Sequence, residues 1–269
     1  MPSKFTHSKR IVEGAAGNMG TGVNADQVME MGARMISILE LSGSPIGVIL
    51  LGSNETASPN AEMLKRHRYC QALMKARHGQ DVLLDKDEIS CPAAAAAFGF
   101  RPLPEGLKSG KGLVGFGIVS DESVGNKMFA DMPRLEPGQV HQLRLFPLDR
   151  AGDLPDVVVV EDEVEKLMWI VLSYLHALGG KRVQSSTAVL QATCVDSTII
   201  PYLESRLNFG YGCYGCRDAT DIGANETVLG FPGPLLPSIV KHLEFLANRA
   251  IPTSRSKRAW RALESKGSE

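Results

Sequence analysis

PDVVVVEDEVEKLMWIVLSYLHALGG, residues 155–180, changes its period halfway along. Val157 to Val160 form an unbroken β-branched run, the composition of a strand buried on both faces. Beyond it, Val164, Leu167, Met168, Val171, Leu172 and Leu175 follow the i, i+3, i+4, i+7, i+8, i+11 spacing of one helix face. That helix should stop at Gly179-Gly180, where a left-handed turn costs nothing. A buried strand feeding a helix is the elementary step of a mixed α/β protein. PIGVILLG, residues 45–52, predicts a comparable buried strand in the first half of the chain.

Working outward, the remaining elements alternate in the same way. Asn24 and Gln27 have capping-box spacing, and the helix they open carries Val28, Met31, Met35, Ile38 and Leu39 on one face until Ser42-Gly43. A helix is predicted over 61–78, a short strand at DVLLD, and a second short helix through CPAAAAAFGF with Cys91 and Pro92 at its start. Residues 101–118 are rich in proline and glycine and predict a loop over a site. A short helix over 122–131 and a strand over 139–147 follow. RVQSSTAVL (182–190) and ETVLGFPG (226–233) read as strands, Asp196 and Ser197 as helix caps beside Cys194, and 236–246 as a final amphipathic helix. The fold class expected is therefore α/β, with an α+β arrangement left open. Its organisation is a flexible arm (1–23), a first half (24–150), a second half (151–250) and a polar tail (251–269).

The totals narrow the function. The chain has 269 residues, 43% of them hydrophobic, and a net charge of −1, which suits a globular protein with a large core and argues against a nucleic-acid partner. No apolar run reaches the roughly 20 residues of a membrane helix, and the basic beginning lacks an apolar h-region, so the expected location is the cytoplasm. EGAAGNMGTG misses the dinucleotide G-x-G-x-x-G spacing, and GLKSGKG misses that of a phosphate loop. There is no G-x-S-x-G and no H-E-x-x-H. His67 and His78, eleven apart on one predicted helix, fit a solvated basic face, and the acidic runs at 85–88 and 161–165 fit helix starts.

The cysteines carry the chemistry. There are five: Cys70, Cys91, Cys194, Cys213 and Cys216, too few and too odd in number for a disulfide framework. They fall into two matching pairs. Twenty residues separate Cys70 from Cys91 and eighteen separate Cys194 from Cys213, each pair bracketing a helical then an extended segment downstream of a buried strand. GLVGFG and VLGFPG recur beyond the two pairs. If the echo is structural, two related, intimately packed halves place the cysteines at a common seam. Four converging thiolates suit a 4Fe-4S cluster. Gly212 and Gly215 would let backbone amides reach sulfur, and Arg77 and Arg217 would balance the cluster's charge. Other readings stay open: a zinc site, a Cys213/Cys216 redox dithiol, a carrier or assembly role, or simple buried thiols.

SGSPIGVILL, CQALMKARHGQDVLLDKDEISCPAAAAAFGF, ATCVDSTIIPYL, GCYGCRDATDI and VLGFPGPLL together resemble the uncharacterised domain-of-unknown-function family 169, the ArCR type of archaea and anaerobic bacteria, over about residues 36–250. The resemblance implies cysteines like Cys70 and Cys91, the second followed by a C-P-[AG]-A turn. It also implies that the close pair is uncommon, which favours Cys70, Cys91, Cys194 and Cys213 as ligands and leaves Cys216 spare. The anaerobic setting suits an oxygen-sensitive cluster. The expectation is thus an iron–sulfur protein in electron transfer, or in redox chemistry on a small ligand. Its partner would be a redox protein or that ligand, with a homo-oligomer left open. A full cysteine ligand set favours a carrier, and an open iron site would make the protein an oxidoreductase.

Overall fold

A computed structural model describes residues 23–264. The predicted arm over 1–23 falls almost wholly outside them. Seven strands, β1 (Ile46–Leu51), β2 (Glu62–Leu64), β3 (Val82–Asp85), β4 (Gln142–Pro147), β5 (Val157–Glu163), β6 (Asn208–Gly210) and β7 (Glu226–Pro232), form one sheet in the order β2-β3-β4-β1-β5-β7-β6. Only β2 and β3 run parallel; the other neighbours are antiparallel. The α/β class expected from the sequence is what is seen, as a mixed sheet with helices on both faces.

The sheet repeats itself about the β1–β5 pair. Outward from that centre the first half contributes β1, β4, β3 and the second β5, β7, β6. In each half the central strand comes first in the chain, the strand beside it last, and the outer strand between them. The outer strand also lies between the two cysteines of its half: β3 between Cys70 and Cys91, β6 between Cys194 and Cys213. Both halves thus share one continuous sheet.

Strand alternation divides the core into two layers. Val48, Leu145, Val157, Val159 and Val228 face α2 (Tyr69–Arg77), α3 (Pro92–Ala97) and a π-helix (Ala192–Ile199). Phe146, Val158, Val160, Leu229 and Phe231 face α1 (Ala25–Leu39), α7 (Val164–Ala177) and α10 (Leu236–Ala247). Each such side chain, fully buried, contributes about 1.5–3 kcal/mol. Asn24 and Gln27 form the expected capping box on α1.

Several expectations are corrected. The helix predicted over 61–78 begins only at Tyr69, because Glu62–Leu64 extends the sheet beside β3 and Arg66 turns the chain with φ 54. RVQSSTAVL is not a strand. The Asn208 side chain takes both backbone groups of Ser186, accepting from its N–H at 2.8 Å and donating to its carbonyl at 2.9 Å, so no ladder is needed there. The 101–118 loop contains two short helices, α4 (Glu105–Lys108) and α5 (Lys111–Gly115), before α6 (Glu122–Ala130). Asp196 and Ser197 are not caps but lie inside the π-helix, which leads into α8 (Ile200–Glu204). The described part of the tail adds α11 (Ala250–Arg255) and α12 (Arg258–Glu264), following α9 (Tyr214–Ala219) and α10 in chain order. Among the described residues no helix is long and apolar enough to cross a membrane.

Candidate functional site

The five cysteines occupy the starts of four helical elements. Cys70 is the second residue of α2, Cys91 the N-cap of α3, and Cys194 the third residue of the π-helix. Cys213 is the N-cap of α9 and Cys216 its third residue. Helix starts leave backbone N–H groups unpaired, an environment that favours thiolates. Cys91 fits its place because Pro92, which lacks an N–H, occupies the first helical position.

All five thiols are free. Burial pushes the Cys70 thiol up to about 12, with Cys216 and Cys91 adding to the effect. Burial also holds Cys194 well above the ordinary thiol value, with Cys91 and Cys70 adding to it. This mutual repulsion reaches across both halves of the sheet. Yet among the described residues no three histidine, cysteine, aspartate or glutamate side chains are drawn together as a metal ligand set. The donor chemistry suits a soft metal centre.

Cys213 and Cys216 form the tightest unit. The N–H of Cys213 donates to Cys216 Sγ at 2.8 Å, and the N–H of Cys216 donates to Cys213 Sγ at 3.1 Å. In its thiol form Cys216 can donate to the Cys213 carbonyl at 3.0 Å. The Cys216 thiol is held below the ordinary thiol value chiefly by its partner Cys213, against the cost of its burial; the Thr193 hydroxyl, the Cys213 N–H and the Arg217 charge act in the same direction. Cys213 is raised correspondingly.

Of the residues predicted to support the site, Arg217, Gly212 and Gly215 lie beside these sulfurs. Arg217 is anchored by the carbonyls of Gly223 at 3.1 Å and Glu226 at 2.9 Å. Gly212 takes φ +79, and a Cβ there would stand 3.5 Å from Cys216 Sγ. Gly215 lies against Arg68, whose Nη1 donates to the Gly215 carbonyl at 2.9 Å and so joins α2 to α9. The amides that reach sulfur belong to the cysteines themselves.

Arg77 has a different neighbourhood from the one its sequence position suggested. Its Nη1 donates to Glu226 Oε2 at 3.0 Å and its Nη2 to Ser42 Oγ at 2.7 Å, while Glu161 Oε2 lies 4.0 Å away. Its charge is balanced by the Glu226 carboxylate, not by sulfur. Burial raises the Glu161 carboxyl to about 8; Arg77 opposes that rise, and the charge of Cys216 adds to it. His67 and His78 do not share a helix face. His67 precedes α2 and meets the Lys65 carbonyl at 2.7 Å; His78 caps its end and meets Asp221 at 2.6 Å.

The sequence reading missed the π-helix and the polar groups it buries. Eight consecutive residues, Ala192–Ile199, are buried in this rare conformation, which is frequent at functional sites. Gly230 permits it, because a Cβ on that strand residue would overlap the Ser197 carbonyl. Asn208 Nδ2 donates to the Asp196 carbonyl at 2.8 Å, and Ser197 Oγ to the Thr193 carbonyl at 2.7 Å. Tyr69 and Thr198 join hydroxyls at 2.8 Å, tying α2 to the π-helix. The Thr193 hydroxyl is buried without a hydrogen-bond partner of good geometry, and its one marked influence is on the Cys216 sulfur. The available signal was the polar run TCVDST, too hydroxyl-rich for an ordinary buried helix.

Comparison with known proteins places the chain. The family model described as uncharacterised ArCR, domain-of-unknown-function family 169, matches residues 34–242, so the chain belongs to that family. An uncharacterized protein of Methanocaldococcus jannaschii is 28% identical over 225 residues, covering 82% of this chain and 96% of the relative. No solved structure matches the chain significantly.

Proposed function

We propose that this member of the ArCR family is a thiolate-centre protein that holds an iron–sulfur cluster of the 4Fe-4S type, for electron transfer or for redox chemistry on a small ligand. The observation that carries the reading is the matched placement of cysteines in the two half-sheets. Cys70 and Cys194 precede the outer strands, Cys91 and Cys213 follow them, and electrostatic repulsion links thiols of both halves. Four cysteines from different elements, each at the start of a helix and buried or half-buried, are a donor set of the right chemistry for such a cluster. Because no three of them yet stand as a ligand set, loading has to draw them together. The loaded protein should therefore protect the amides at the start of α9 from hydrogen exchange more than the empty protein does.

The test is a series of single cysteine-to-serine variants reconstituted without oxygen, read by visible absorbance and by hydrogen exchange at α9. The reading predicts loss of colour in the Cys70, Cys91, Cys194 and Cys213 variants and retention in Cys216→Ser. Colour that survives all four would refute it.

A second reading has its own observation. The Cys216 sulfur accepts the Cys213 amide proton at 2.8 Å, and its thiol is held below the ordinary value, the arrangement of an activated dithiol. In that case the pair cycles between two thiols and a disulfide, giving two electrons and two protons to a disulfide substrate. Cys213→Ser then abolishes disulfide reduction while leaving iron content unchanged.

A further inference from the structure

Residues between Gly99 and Pro137 fold back over the end of α3 and line an open pocket of ≈ 500 Å³. That size lies within the range of small-molecule sites. Phe100, Leu103, Phe129 and Leu135 supply apolar walls. One end is closed by Gly99, which takes φ +72. A Cβ there would lie 2.6 Å from the Glu136 carbonyl oxygen, so only glycine lets the two segments meet.

Arg101, Lys108, Asn126 and Arg134 are among the residues that line this pocket, and no aspartate or glutamate lines it; the Asn126 amide donates to the Lys108 carbonyl at 2.7 Å. Neutral groups fix both guanidiniums. Arg134 Nη2 donates to the Phe129 carbonyl at 2.8 Å and its Nε to the Met132 carbonyl at 3.4 Å. Arg101 Nη2 donates to the Ile89 carbonyl. Among the described residues neither arginine has a carboxyl partner, whereas the buried Arg77 and Arg144 each have two. Lys108 has only Glu105, at 4.0 Å on the exposed surface. Backbone carbonyls orient a guanidinium without cancelling its charge, so three solvent-exposed cations give the lining of this open apolar pocket a net positive charge.

We infer that this cavity binds a small organic anion, a carboxylate or phosphate carried on an apolar body, with Arg101, Lys108 and Arg134 on the oxyanion and the aromatic walls on the body. The planar guanidinium fork matches either oxyanion. Ala96 of α3 also lines the cavity, and Cys91 caps the other end of that helix, roughly 8 Å away along its axis at 1.5 Å per residue. The anion would thus sit one short helix from the thiols. The inference does not depend on what the thiols hold.

The experiment is isothermal titration of the full chain with benzoate and with phenyl phosphate, against neutral benzamide and inorganic phosphate. Saturable binding of an aromatic anion, at least about tenfold tighter than benzamide and inorganic phosphate, is expected. The better of the two aromatic anions identifies the oxyanion. Arg101→Gln and Lys108→Gln should each weaken it by about tenfold, the second at an exposed position that the fold does not need. Benzamide binding as tightly as benzoate, affinity unchanged in both variants, or no anion binding at up to about 10 mM would overturn the assignment.

Discussion

Cys213 and Cys216 cap each other: each backbone N–H donates to the other's sulfur, at 2.8 and 3.1 Å. This is a capping box built from thiols, and it satisfies two helix-start amides reciprocally. Cys213→Ala should therefore cost about 1 kcal/mol in urea unfolding, while Cys213→Ser, which keeps an acceptor, should recover most of it. A serine variant as unstable as the alanine variant would show that the cap contributes nothing.

Gly230 decides whether the π-helix can lie on β7. Gly230→Ala drives a methyl group into the Ser197 carbonyl and should destabilise by about 3 kcal/mol or more. Gly106→Ala is the control: nothing lies within 4 Å of a Cβ there, and the change should be neutral or stabilising by up to about 1 kcal/mol. Thermal unfolding of both variants separates collision from a general effect of removing glycine.

Tyr69→Phe removes the hydroxyl that meets Thr198 at 2.8 Å in the buried layer. The expected loss is about 1 kcal/mol, because Thr198 retains the Thr193 carbonyl at 3.0 Å. Denaturant unfolding measures it.

Glu161 gives the fold a pH dependence of definite sign. Its carboxyl has an ordinary value of 4.5 and is raised to about 8 by burial. The folded state therefore holds this proton more tightly than the unfolded chain. Its stabilising effect is complete below pH 4.5 and is lost as pH rises toward about 8. Glu161→Gln should flatten the stability profile across that window by at least about 1 kcal/mol. An unchanged profile in urea unfolding at several pH values would contradict the assignment.

What the sequence revealed and what it hid follow the range of the forces involved. The strand at Val157–Val160, the helix at Val164–Ala177 and the Cys91-Pro92 helix start are local patterns, and each is present as read. The three-residue β2 was not legible because it depends on its parallel partner β3, about twenty residues away. The π-helix depends on Gly230 and Asn208, which its own residues cannot announce. The matched cysteine pair of each half brackets an outer strand, β3 or β6, while β2 beyond β3 has no counterpart in the second half. The neighbours that tune Cys216 were only partly legible: Arg217 is adjacent in sequence, but Thr193 arrives through tertiary structure.

The most direct measurement is iron and acid-labile sulfide per chain in protein purified without oxygen. About four of each, with a visible band that bleaches on reduction, is the predicted result. Colourless protein that takes up neither iron nor sulfide after anaerobic reconstitution would contradict the cluster and leave the Cys213/Cys216 dithiol as the centre of the account.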